Sequence, residues 1–212
     1  MTATKQKARS EETKRKIVEA AGRLFASKGY QAVTMREIAK AAHCSHTAIY
    51  IYFKDKEALL TQLSMPPLLT LLQTFDALLN EDRPPEQRLA AISLEFIGFC
   101  LAHRSLYGLF FGTKSVRVDE EAPDLELNQL RNSMFGKLKG AVRACLGMRA
   151  DDPQALEFAR IYMYGLNGIA ATYAESEESA EQLMDRLTPT FRQAFDVLLA
   201  GFRHQLANRA GG

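Results

Sequence analysis

The chain has 212 residues, 47% hydrophobic and 25% charged, an ordinary globular composition that suits one large domain or two small ones. Its net charge is only +2, but residues 1–60 hold 12 Lys/Arg against 6 Asp/Glu, a balance of +6, and the remainder holds 15 against 19, a balance of −4, so the front end suits a polyanionic partner. Cys44, Cys100 and Cys145 have neither zinc-ligand nor disulfide spacing, and no apolar run approaches the ~20 residues of a membrane span. A cytoplasmic protein with no metal, cofactor or membrane partner is expected.

Residues 1–10, with Lys5, Lys7 and Arg9, read as a flexible basic arm. Ser10 followed by Glu11 and Glu12 marks a helix start, Ile17, Ala21, Leu24 and Phe25 recur at helical spacing, and Gly29 ends the run. Thr34-Met-Arg-Glu37 is a capping-box pattern, so a second helix begins there with Ile38, Ala39 and Ala42 on one face. His43 and Cys44 form the turn, Ser45 caps a third helix with Ile49 and Phe53 inward, and Asp55 caps a fourth.

Pro66-Pro67 is expected to interrupt that fourth helix, with periodicity resuming from Leu68 to Leu79. A turn at Asp82 to Pro85 opens an apolar helix to about His103, and a short helix follows from Ser105 to Phe111. Pro123 opens a helix to about Leu146, and Asp152-Pro153 opens another to about Tyr173. Ser179 and Gln182 form a second capping box, starting a last helical region to about Leu206 that Thr188-Pro189 kinks or restarts. No β-type alternation of useful length occurs, so the fold class is all-α with nine to ten helices. Three parts are expected: the arm at 1–10, a three-helix unit at 11–60 and a helical body at 61–212.

The stretch from Thr34 to Lys56 is the most informative, because its third helix offers Ser45, His46, Thr47, Tyr50 and Tyr52 outward. A short helix with hydroxyls and aromatic rings on an exposed face, set in a basic segment, suits a DNA major groove. From about Thr13 to Leu60 the sequence resembles the DNA-binding domain of the tetracycline-repressor (TetR) family. The residues that carry the likeness are Thr34, Glu37, Ile38 and Ala39, then the run Ile49-Tyr50-x-Tyr52-Phe53-x-x-Lys56-Glu57-x-Leu59. It departs from the family pattern at the turn, where His43-Cys44 replaces Gly and an aliphatic residue, and at His46-Thr47. The second departure bears on which base sequence is read.

On this resemblance the expected DNA contacts are Thr34, Arg36, Ser45, His46, Thr47, Tyr50, Tyr52 and Lys56. Arg36 suits a guanine edge or a phosphate, and His46 and Thr47 begin the helix whose first residues reach bases. Thr34 and Ser45 are helix caps first, and one of Tyr50 and Tyr52 is equally suited to packing on the first helix. Lys56 is expected to meet a phosphate together with helix amides. The resemblance also implies a pocket for an apolar or aromatic small-molecule effector, with candidate lining Phe96, Phe99, Cys100, His103, Tyr107, Phe110, Met134, Met163, Tyr164 and Asn167. Plain core is the competing reading for each of these residues.

The resemblance further implies a homodimer built on the last two long helices, through Gly165, Gly168, Phe191, Phe195, Leu198 and Phe202. The expected function is a sequence-specific transcriptional repressor on a pseudo-palindromic duplex, released by its effector. An enzyme is not expected, because the four histidines are scattered and neither an HExxH motif nor a Gly-rich phosphate loop is present. The alternatives are a helical-pocket enzyme and an interaction protein whose helix-turn-helix no longer reads DNA.

Overall fold

The computed structural model of the chain describes residues 2–104 and 126–210. Among them are eight helices and no strand: α1 (Thr2–Lys28), α2 (Met35–Ala41), α3 (His46–Tyr52), α4 (Lys56–Leu79), α5 (Pro85–Ala102), α6 (Glu126–Cys145), α7 (Gln154–Thr172) and α8 (Ala180–Ala210). The expected short helix at Ser105–Phe111 and the Pro123 helix start lie outside the described residues.

Two sequence expectations about helix limits are corrected. Residues 2–10, expected to be an arm, form the first turns of α1. The Thr13 hydroxyl donates to the Arg9 carbonyl at 2.9 Å, and Arg15 pairs with Glu12 at 2.9 Å and Glu19 at 2.6 Å, a ladder at helical spacing that favours continuation of the helix. Pro66 and Pro67 do not divide α4. Each removes one backbone donor, but Leu60, Ser64, Leu68, Leu71 and Phe75 form a buried stripe at helical spacing, and that burial outweighs the lost bonds. Pro189 likewise lies inside a continuous α8.

The chain forms two compact units, divided within α4 after Leu68. The first has α1, α2 and α3 around a core of Ile17, Ala20, Ala21, Phe25, Val33, Ile38, Ala39, Ile49, Phe53 and Leu59. In the second, α5 packs on α6, α7 and α8. Its centre is aromatic: Phe158 stacks on Phe202 with ring centroids 4.6 Å apart, and Tyr162 lies 5.8 Å from Phe195. Tyr162 is wholly buried, so its hydroxyl needs a partner, and Ser93 supplies one at 2.9 Å. Burial pushes the Tyr162 phenol well above its ordinary value.

Candidate nucleic-acid interface

The geometry of α2 and α3 follows from their caps. The Glu37 amide donates to the Thr34 hydroxyl at 3.3 Å, and the Thr34 amide donates to the Glu37 carboxylate at 2.9 Å, the reciprocal pair of a capping box. The Ala48 amide donates to the Ser45 hydroxyl at 3.0 Å, which starts α3. Between them the chain reverses at His43, whose φ of 56° is left-handed, and the Cys44 amide donates to the Ala39 carbonyl at 3.0 Å. Cys44 packs its half-buried side chain against the core, filling the small apolar slot after the turn. Ile38, Ala39 and Ile49, all nearly inaccessible, fix α3 on α2.

That packing sets which side chains α3 presents. His46, Thr47, Tyr50 and Ile51 are exposed, as is Arg36 at the start of α2. The His46 and Tyr50 rings meet edge to face with centroids 5.3 Å apart. Tyr52 is half-buried and packs on the core, so of the two tyrosines it is Tyr50 that points outward. Ile51, 79% exposed, is a further outward side chain, one to which the sequence pattern gives no direction. Lys40 and Lys54 are exposed basic neighbours.

Lys56 has different partners from those expected. Its ammonium donates to the Tyr30 carbonyl at 2.6 Å and the Val33 carbonyl at 2.8 Å, with a longer contact to the Gln31 carbonyl at 3.4 Å, and it lies 4.4 Å from the Tyr30 ring centroid. The reason is non-local. Gly29, with φ of 77°, turns the chain out of α1 so that these carbonyls converge on the start of α4. Burial of the ammonium lowers its pKa. Lys56 is therefore a brace between the α1–α2 loop and the start of α4 rather than a free cation. Glu37 is tied in similarly: Lys28 at 2.9 Å, then the Thr34 amide and hydroxyl, hold its carboxyl down to about 2.

In the second unit the expected pocket residues separate. Phe96, Cys100 and Met134 are buried, Phe99, His103, Met163 and Asn167 are half-buried, and Tyr164 is 68% exposed. Tyr107 and Phe110 lie outside the described residues. His103 ends α5 with its ring 4.6 Å from that of Phe99, and burial lowers its pKa, which favours the neutral ring. A recess of about 540 Å³, lined by Lys139, Arg143, Asp151, Asp152 and Leu156 among others, includes none of the ten.

The interface expectation is corrected for three residues. Phe191, Phe195 and Phe202 are 2–3% exposed within the single chain, because the apolar stripe of α8 is already buried there. Leu198 is half-buried, and a Cβ on Gly165 would meet it at 3.1 Å, so that pair too is an internal contact. Gly168, one of the expected six, is exposed, and the small or apolar residues that the two helices leave uncovered beside it include Tyr164 and Ala171 on α7 and Val197, Ala200 and Gly201 on α8.

Comparison with known proteins bears on both units. The profile of the family described as "Bacterial regulatory proteins, tetR family" matches residues 17–63. That described as "Tetracyclin repressor-like, C-terminal domain" matches residues 89–202, over half of the chain. The HTH-type transcriptional regulator YhgD of Bacillus subtilis is 26% identical over 71% of this chain and 80% of its own length. HbdR of Aromatoleum is 30% identical over 64% of this chain, but the match spans only 58% of that protein. Among solved structures, the fatty acid degradation regulator FadR of Bacillus halodurans has a TM-score of 0.63 at 18% identity, covering 88% of this chain and 98% of that one. FadR of Bacillus subtilis, solved in complex with stearoyl-CoA, has a TM-score of 0.62 at 17% identity, covering 88% of this chain and 98% of that one. The α3 face and the helical body thus occur together in one known architecture, and the chain belongs to the TetR family of DNA-binding transcriptional regulators.

Proposed function

We propose that the chain is the subunit of a homodimeric repressor that binds a pseudo-palindromic operator and leaves it when a small apolar or aromatic effector binds the helical body. The observation that carries the DNA half of this reading is the α3 face: four exposed side chains on a seven-residue helix held by capped ends and a buried underside. His46 and Thr47 at its start reach base edges, Arg36 takes a guanine edge or a phosphate, and Tyr50 meets the backbone. Thr34 and Ser45 hold the helix ends towards phosphate. The effector half is supported by solved relatives of the same fold, one with stearoyl-CoA bound and one named a ketosteroid regulator. Phe96, Cys100 and Met134 supply apolar lining of that kind beside half-buried Phe99, Met163 and Asn167.

Two recognition helices on one duplex require a two-fold partner. The uncovered small and apolar residues of α7 and α8 favour that role, since Gly168 and Gly201 have open space where a Cβ would stand and permit close approach of another helix. The relatives are transcriptional regulators, and no catalytic step is assigned to this chain. No described helix is long and apolar enough to cross a membrane, which accords with work on chromosomal DNA in the cytoplasm.

The test is selection of duplexes from a random pool by the purified chain at physiological salt. A palindromic motif whose half-sites lie about one helical turn apart supports the proposal. Uniform, salt-sensitive binding with no enriched motif overturns it.

A further inference from the structure

We propose that Ile51 is a specificity-determining residue, which together with the Thr47 methyl reads thymine 5-methyl groups in the operator. The inference rests on the reading of α3 as the helix that enters the major groove. Ile51 is 79% exposed, more than Tyr50, Leu69, Tyr164 or Val197, the other large apolar side chains that stand open among the described residues. A single exposed aliphatic side chain is common on a protein surface, and Ile51 gains its meaning from its place on the outward face of α3, one turn on from exposed Thr47. The fold does not need it: Ile49 at 0% and Phe53 at 4% exposure do the packing on either side.

The chemistry of α3 divides into two ridges, because residues four apart lie above one another, about 6 Å along the axis. One ridge is His46 and Tyr50, whose rings already contact each other edge to face. The other is Thr47 and Ile51, which presents methyl groups. In the major groove thymine alone carries a methyl, and cytosine presents an amino donor that an aliphatic side chain cannot satisfy. A 6 Å ridge spans about two base-pair steps of 3.4 Å, so Thr47 and Ile51 face pairs about two steps apart. The β-branched side chain of Ile51 has one strongly preferred rotamer on a helix, so little ordering is needed on contact. Arg36, Lys40 and Lys54, all exposed on the same unit, supply charge suited to holding the backbone in register.

The experiment uses the full chain as wild type, Ile51→Ala and Ile51→Val. An operator is selected with the wild type, and each of its thymines is then replaced in turn by deoxyuridine, which lacks only the 5-methyl. The expected result is a thymine in each half-site where the wild type loses affinity about threefold to tenfold, Ile51→Val keeps part of that loss, and Ile51→Ala shows none. Ile51→Ala also selects a motif relaxed at that pair, with its salt dependence unchanged because no phosphate contact is lost. Equal deoxyuridine penalties for wild type and Ile51→Ala at every thymine overturn the inference while leaving the operator reading intact. Failure of the wild type to enrich any motif overturns the placement of α3 in the groove, and this inference with it.

Discussion

Lys56 and Glu37 show how single side chains hold the recognition surface through bonds made within the chain. The Lys56 ammonium caps carbonyls that no helix satisfies, so Lys56→Met should lower the stability of the first unit by about 1–3 kcal/mol in denaturant unfolding. Operator affinity should fall with it, but the slope of log affinity against log salt should stay as in wild type; a lost phosphate contact would reduce that slope by about 0.9. Glu37 titrates from a position held down to about 2, so its contribution is complete above about 4.5 and disappears as pH falls from there to about 2. Unfolding measured across that range should show a shallower acid loss for Glu37→Gln than for wild type. Lys56 was visible in the sequence as a lysine at a helix start. Its partners were not, because three carbonyls more than twenty residues away converge only through the left-handed turn at Gly29.

At the scale of elements, what was legible was local. Thr34 with Glu37 and Ser179 with Gln182 satisfy amides within one turn, so their residue types alone reveal the helix starts, and both capping boxes form. Thr34→Ala should cost about 1 kcal/mol of stability, read from thermal or denaturant unfolding, and loosen the start of α2. The pair Pro66-Pro67 was misread for the opposite reason: a local helix-breaking tendency competes with burial over a whole helix face, and burial depends on partners distant in sequence. The α3 face was legible in part. His46, Thr47 and Tyr50 stand where the pattern of inward Ile49 and Phe53 puts them. Ile51 was missed because an isoleucine between two tyrosines carries no sign of its own direction.

The whole molecule raises the question of which apolar residues serve the monomer and which a second copy. Phe195 lies beside Tyr162 in the single chain, so Phe195→Glu should unfold the second unit, seen as lost helicity, rather than give a folded monomer. Val197, two residues from Phe195 and so on the opposite side of α8, is 60% exposed and is the discriminating position. Val197→Glu should leave the circular dichroism spectrum and melting midpoint near wild type while sedimentation shows a monomer with weakened operator binding. A Val197→Glu protein that remains dimeric would place the interface elsewhere. The uninterrupted α4 has a consequence of its own. Pro66 and Pro67 carry no amide hydrogen, so the ladder of exchangeable protons along α4 has a two-residue gap immediately before the division at Leu68. A helix without those two links need not open as one cooperative segment, so deuterium uptake before Pro66 should follow the first unit and uptake after Pro67 the second, with two protection levels along one continuous rod.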